Sequence, residues 1–441
     1  MKLKVFYATD GDCLLLSSGD SRHVLIDGGR TGTFRDQTWG TLQQMAADDQ
    51  ELDLVVVSHI DADHISGILW LMKAVAEWTV FDFQRGEGRN PGFPEPASPR
   101  PPAIKKVWHN SWRALLQDLA GPIEAFTTKV ADARDGTSLD SSVMPAAAAR
   151  LFGAIAEVAE SIPDGIELRR LVDEATPIPR NKPFKDLVLL RDPPHLERLG
   201  TMSLRVIGPA EKHLEALRKE WRRWLAAQGG TAAGPGGPSA ALVEPAGGDE
   251  LGNALAMGRA QREQLVASLA QGAQVIEASD PSKVTPPNRA SITLLAQERR
   301  RTCLLTGDAA EEEILEGLET AGRMKNGRFA CNVLKVQHHG SEFNLSRMFA
   351  EKVIADHYVF CGDGAHHNPD PSVVRTIVDV RLTADPRPFT LWFNCSPERT
   401  APSKRKALAA ALDQARRAAD SHPAVAMEVL ADDQPFFEIT V

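Results

Sequence analysis

Val55-Val56-Val57-Ser58-His59-Ile60-Asp61-Ala62-Asp63-His64 is the stretch on which the reading of this chain turns. Three consecutive β-branched residues make the short apolar run of a strand buried on both faces, and the run ends abruptly in two histidines and two aspartates. Ile65, Ile68, Leu69, Met72 and Val75 then recur at helical spacing, so the cluster lies in a tight strand-to-helix turn. His59 and Asp61 are two apart and can face one way in an extended segment, while Asp63 and His64 fall where the turn enters the helix. Two such pairs suggest two metal ions. A helix N-terminus disfavours positive charge and would help keep His64 neutral and able to ligate. Helix capping by Asp61 or Asp63 accounts for one aspartate and leaves the other residues unexplained.

Two later stretches repeat the pattern of chemistry at a strand end. Thr302-Cys303-Leu304-Leu305-Thr306-Gly307-Asp308 is a buried strand with an acidic end, followed by a helix around Glu311 to Leu318. Asp308 with Glu311 three residues on also satisfies a helix capping pattern. Val333-Leu334-Lys335-Val336-Gln337-His338-His339-Gly340-Ser341 sets paired histidines before Gly-Ser. Packing explains such a pair poorly, because adjacent strand residues face opposite sides and only one can enter a core.

Together these runs resemble the metallo-β-lactamase fold, whose usual metal loop reads His-x-His-x-Asp-His. With Asp61 in place of the second histidine, the chain is similar to the branch typified by the hydrolase domain of bacterial competence (DNA-uptake) channel proteins, in a soluble stand-alone form. The resemblance covers roughly 1–110 and 200–395. It implies an α/β fold, the four-layer αββα sandwich with helical insertions, and a site between the strand edges of two sheets. It further implies that His59, Asp61 and Asp308 hold one metal, and that Asp63, His64, Asp308 and either His338 or His339 hold the other, the remaining histidine touching substrate. A further ligand of the first metal has no match, so His109, at the end of the strand Ile104–Trp108, or water would fill that place. Asp27, in Asp27-Gly28-Gly29, would buttress the metal loop by hydrogen bonding. Asn288 and Ser291 would orient substrate or water, and Ser341, His367 and Asn368 would lie near the substrate.

The expected cofactors are two divalent ions, zinc or manganese, with magnesium as a further candidate. The carboxylate of Asp61 shifts preference from zinc towards the harder ions. Two cations about 3.5–4 Å apart would acidify a bridging hydroxide and neutralise charge in the transition state. Asp63 and Asp308 carry the catalytic roles in this reading. The expected activity is that of a phosphodiesterase or nuclease acting on DNA. Two alternatives stand beside it: a lactone, thioester or β-lactam hydrolase of the same fold, and an effector subunit regulated by a protein partner in a bacterial defence system.

The chain has 441 residues, 43% hydrophobic and 25% charged, as expected of a globular protein. Its formal net charge is −9, a mild argument against broad nonspecific binding of nucleic acid that bound cations or a local basic patch would change. The five cysteines are odd in number and widely spaced, which suits small buried hydrophobes in a reducing, cytoplasmic compartment. Asp10-Gly11-Asp12 arrives before a signal-peptide core could form, and no run reaches the length of a membrane span. The expected division is 1–112 for the first half of the hydrolase domain, 113–200 for a helical insertion and 201–209 for a core strand. After these come a helical and Gly/Pro-rich insertion at 210–287, the second half at 288–400, and a C-terminal helix and strands at 401–441. Residues 84–102, dense in Pro and Gly, read as a long loop, a candidate lid or a loose surface connection.

Overall fold

Period-two alternation along the strands sorts the side chains into three apolar layers, and those layers define the architecture. The structure is a computed structural model, and it describes residues 1–122, 124, 161–227 and 286–441. In the first sheet Val56 and Trp108 point one way, and Val55, Val57 and Val107 the other. This sheet has six strands in the order β14-β1-β2-β3-β4-β5. They are β1 (Lys2–Phe6), β2 (Leu14–Ser17), β3 (His23–Ile26), β4 (Leu54–Val57), β5 (Val107–His109) and β14 (Phe436–Thr440).

The second sheet has eight strands in the order β13-β12-β11-β10-β9-β8-β7-β6. They comprise β6 (Leu196–Leu199), β7 (Met202–Gly208), β8 (Thr293–Glu298), β9 (Arg301–Leu305), β10 (Phe329–Lys335), β11 (Val353–Phe360), β12 (Phe389–Phe393) and β13 (Val425–Val429). Leu14, Leu16, Val24, Val56 and Trp108 meet Leu204, Val206, Leu294, Cys303 and Val333 between the sheets. The outer face of the first sheet is covered by α1 (Trp39–Ala47), α2 (Ala62–Arg85) and the helical segment 161–175. That of the second is covered by α4 (Glu311–Thr320), α5 (Arg347–Lys352), α6 (Pro371–Ala384) and α7 (Pro402–Ser421); α3 (Glu211–Ala227) leads off β7. The result is a four-layer αββα sandwich with its functional loops at one end of the strands.

Several expectations change. The stretch 113–200 is not wholly helical: beyond 175 it runs irregularly into β6, which pairs antiparallel with β7 as a hairpin and extends the second sheet. The C-terminal strands are not an appendage, because β13 closes the edge of the second sheet and β14 pairs with β1 at the edge of the first. Residues 84–102 are neither a lid nor loose. Helix α2 runs on to Arg85, and the loop folds back on it through Trp78 Nε1, which donates to the Ser98 carbonyl at 2.9 Å, and an Arg100–Asp82 ion pair at 2.6 Å. The rest of the first insertion (125–160), the Gly/Pro-rich stretch 228–252 and the expected helix 254–271 lie outside the described residues. All five cysteines are buried and unpaired. Among the described residues no helix is long and apolar enough to cross a membrane.

Glycine sets the depth at which the functional loops meet. A Cβ on Gly11 would fall 1.7 Å from the Asp63 carbonyl oxygen, so the β1–β2 turn touches the start of α2 backbone to backbone. Gly67 lies against Gly28 in the same way, with 2.2 Å from its would-be Cβ to the Gly28 oxygen, while the Gly28 amide donates to the His64 carbonyl at 2.8 Å. Substituting Gly67→Ala is therefore expected to cost about 1–3 kcal/mol in urea unfolding, the range for overpacking. Gly40→Ala, on an exposed face of α1 with nothing within 4 Å, should raise stability by about 0.5–1 kcal/mol. Equal unfolding midpoints for the two variants would contradict the backbone contact.

Candidate metal centre

The loop after β4 carries four of the expected residues, and neighbouring loops aim at it. Asp61 and Ala310, which precede α2 and α4, make no side-chain capping hydrogen bond, so neither Asp61 nor Asp308 serves as a helix cap. Asp308 follows β9, and its Oδ2 is the focus of the site. The Nε2 atoms of His339, His64, His59 and His338 lie 3.2, 3.6, 3.8 and 3.9 Å from that single oxygen. Asp63 Oδ2 lies 3.2 Å from His339 Nε2 and 3.6 Å from His64 Nε2, and Asp61 Oδ2 lies 3.4 Å from His59 Nε2.

Each imidazole is held from behind through Nδ1. His64 Nδ1 donates to Asp27 Oδ2 at 2.9 Å, and His339 Nδ1 to the Cys361 carbonyl at 2.8 Å. His338 Nδ1 donates to Asn344 Oδ1 at 2.7 Å; the Asn344 amide reaches the Asp308 and Ala309 carbonyls, which leaves Oδ1 as the acceptor. His59 Nδ1 donates to Ser58 Oγ at 3.0 Å, and that hydroxyl donates in turn to Asp27 Oδ2 at 2.7 Å. With the proton fixed on Nδ1, the lone pair of every Nε2 points inward. His59 Nε2 and Asp61 Oδ1 are buried without a hydrogen-bond partner. Carboxylate oxygens and imidazole nitrogens at these separations are a donor set that zinc or manganese accepts. The ligand atoms of His59, His64 and Asp308 all lie within 4.8 Å of one another, as do those of Asp12, His64 and His339.

The charges agree with that geometry. Burial alone would depress the His64 and His339 imidazoles, but Asp308, with Asp63, outweighs it and holds both well above their ordinary range. Burial would raise the carboxyls of Asp63 and Asp308; the surrounding histidines, with Lys335 beside Asp308, hold both well below the usual range instead. The carboxylates call for positive charge in their midst. His338 goes the other way: burial dominates and lowers it.

The remaining candidates separate. Asp27 accepts from the Ser58 backbone amide as well as its hydroxyl, so it braces the loop. Asn288 Nδ2 lies 3.3 Å from His338 Nε2, and Ser291 Oγ accepts from the Asp308 amide at 3.2 Å. Ser341 lies one turn further on, where its Oγ accepts from the Phe343 amide. His367 is exposed, and Asn368 is buried in the loop packed behind Gly340 and Gly362. The backbone hydrogen bonds of both, to Gly364 and Ala365, stay within that loop, away from Asp308. His109 does not fill the open place of a first metal. In register with Val57, it follows the alternation that sends Trp108 between the sheets and Val107 towards the helices. It ends up buried near Arg180 and Arg169, both ring nitrogens unpaired, its pKa pushed down to about 3 chiefly by burial.

The paired histidines are not strand residues. β10 stops at Lys335, and His338 (φ 47°), His339 (φ 54°) and Gly340 (φ 86°) turn through three successive left-handed conformations. That turn lets adjacent side chains reach the same oxygen, which alternation in a strand forbids.

Sequence reading misses Asp12, Asn344 and Lys335. Lys335 is fully buried, 2.5 Å from Asp12 Oδ2 and 3.4 Å from Asp308 Oδ1, and it donates to the Gly307 carbonyl at 3.0 Å. A lysine amid Val333, Leu334 and Val336 is the available signal.

Residues 7–76 match the family model of the metallo-beta-lactamase superfamily, a span that includes Asp12, Asp27 and the His59–His64 loop. No curated protein matches the chain. Fold, match and His/Asp cluster together support a metal-dependent hydrolase in general.

Removing the lysine strands two buried carboxylates. Lys335→Met is expected to lower stability by about 3–5 kcal/mol, and the double variant Lys335→Met/Asp12→Asn to recover a substantial part. Denaturant unfolding of both single variants and the double variant checks this. Independent, additive losses would refute the coupling.

Proposed function

We propose that this chain is a metal-dependent phosphodiesterase that cleaves DNA. The observation that carries the proposal is the convergence of four imidazole Nε2 atoms on Asp308 Oδ2, each ring locked through Nδ1. In this reading His59, Asp61 and Asp308 hold one divalent cation, and Asp63, His64, Asp308 and His339 the other. Such a pair supplies Lewis acidity that polarises a phosphoryl oxygen and lowers the pKa of water.

The choice between the paired histidines follows from geometry. His339 lies close to both Asp63 and Asp308, whereas His338 is the more distant and more exposed ring, its side chain 26% accessible. His338 is therefore assigned to the substrate, held in place by Asn344 and Asn288. Asp63 also faces the opening, its side chain 20% accessible, and its carboxylate is placed to accept a proton from the attacking water. Asp61, where the usual metal loop has a histidine, favours hard cations and the phosphoryl oxygens they bind. The likeness to the competence-type branch supports DNA as the substrate.

The test uses protein loaded with manganese or zinc, incubated with single- and double-stranded DNA, RNA and bis(p-nitrophenyl) phosphate. Cleavage of phosphodiesters is expected, with loss of about a hundredfold or more in Asp63→Ala. Hydrolysis of lactones or thioesters with every phosphodiester left intact would replace this reading with a small-molecule hydrolase of the same fold.

A further inference from the structure

An open cleft of about 750 Å³ lies beside the loop that carries His59 and Asp61, lined by Arg113, Arg169, Lys185, Arg191 and Asp186. Four cations against one carboxylate stand out on a chain of net charge −9. Two of the cations are partly engaged: Arg113 lies 3.3 Å from Glu124, and Arg169 lies 3.5 Å from Asp173. The single carboxylate faces away to Arg180 at 3.6 Å. Among the described residues, Lys185 has no acidic partner, and Arg191 rests over the Phe184 ring at 4.6 Å with none either. An arginine stacked on an aromatic face keeps its donors turned outward and loses little entropy on binding an anion.

The cleft is tied to the candidate metal centre through one helix and one apolar cluster. In the segment 161–170, Ser161 Oγ accepts from the Ala62 amide at 3.1 Å, and Asp164 accepts from Ser66 Oγ at 3.1 Å. Gly165 fits against Ile60, with 3.3 Å from its would-be Cβ to Ile60 Cγ2. Arg169 is four residues on, hence on the same helical face, and reaches Ser111 Oγ at 3.3 Å. Leu187 and Leu189, from the cleft wall, pack on the apolar cluster that contains Ile60 and Ala290. Those two residues adjoin His59 and Ser291 in sequence, so a single apolar layer parts the cleft from the centre.

We propose that this cleft is a phosphate-binding subsite that holds the backbone of the substrate strand flanking the scissile bond. The proposal rests on the phosphodiesterase reading and deepens it by naming a strand, rather than a mononucleotide or small ester, as the substrate. Several weakly paired cations in an open cleft suit successive phosphates, which bind by charge without base recognition.

The experiment compares the wild-type chain, the charge-reversed variant Lys185→Glu/Arg191→Glu and the milder Lys185→Gln/Arg191→Gln, which guards against misfolding of the first. A control, Lys406→Glu/Arg417→Glu, reverses two exposed cations on α7 and alters net charge equally. Binding of a fluorescein-labelled oligothymidylate is measured in EDTA across a salt series, and turnover of bis(p-nitrophenyl) phosphate separately with metal. The expected result is roughly tenfold weaker oligonucleotide binding in the cleft variants, a salt slope lower by about 0.7 for each phosphate no longer neutralised, and unchanged turnover of the small ester. Equal weakening in the control, unchanged oligonucleotide binding, or loss of thymidine monophosphate binding with the strand still bound would each overturn it. Absence of small-ester turnover in the wild type, with strand binding still abolished in the cleft variants, would remove the phosphodiesterase reading and leave the anion site standing.

Discussion

A buried lysine crossing between two sheets is the constraint on which the centre depends. Lys335 rises from the end of β10 in the second sheet and meets Asp12 from the β1–β2 turn of the first, with Asp308 on its other side. Taking a lysine and two carboxylates out of water costs several kcal/mol per ion unless geometry and hydrogen bonds restore it. Here the Gly307 carbonyl takes a further lysine proton, and His339 lies within 3.4 Å of the other Asp12 oxygen. The arrangement fixes the distance between the sheets at the point where the functional loops emerge. It also turns one oxygen of Asp308 to the lysine and leaves the other to face four imidazoles.

Backbone contacts complete what the lysine begins. Gly11 against Asp63 and Gly28 against Gly67 let loops from β1, β3 and β4 meet with no side chain between them. The left-handed turn at His338 and His339 is conformationally costly for residues with a Cβ, of order 1–3 kcal/mol each. The surroundings hold it in place through Asn344, Cys361 and the loop at 362–369. The rigidity invested in the second half of the site keeps ring nitrogens within a fraction of an ångström of useful geometry.

The strand-to-helix turn at 55–64 is legible in the sequence because apolar patterning forecasts both elements and leaves polar residues with no packing role. Both sheets are legible for the same reason, strand by strand. What is not legible depends on partners distant in sequence. Lys335 reads as an ordinary charge until Asp12, more than three hundred positions away, is placed against it. His109 looks available at a strand end, yet the register of β5 against β4 sends it to the helical layer. Strand alternation misreads the His338–His339 pair, because the backbone leaves the strand first. β6 is hidden because Leu196-Glu197-Arg198-Leu199 is too short and too polar to announce a strand without β7 beside it.

A cluster of buried carboxylates with inward-facing imidazole lone pairs is electrostatically incomplete without added positive charge, which protons on His64 and His339 or bound cations can provide. In the binuclear reading, divalent cations fill this role. The most direct test is elemental mass spectrometry of the purified chain after manganese and zinc loading, alongside Asp308→Ala. About two ions per chain in the wild type, as a binuclear centre requires, and at most one in the variant is the predicted result. Wild-type protein that retains no stoichiometric metal under either loading condition would contradict it.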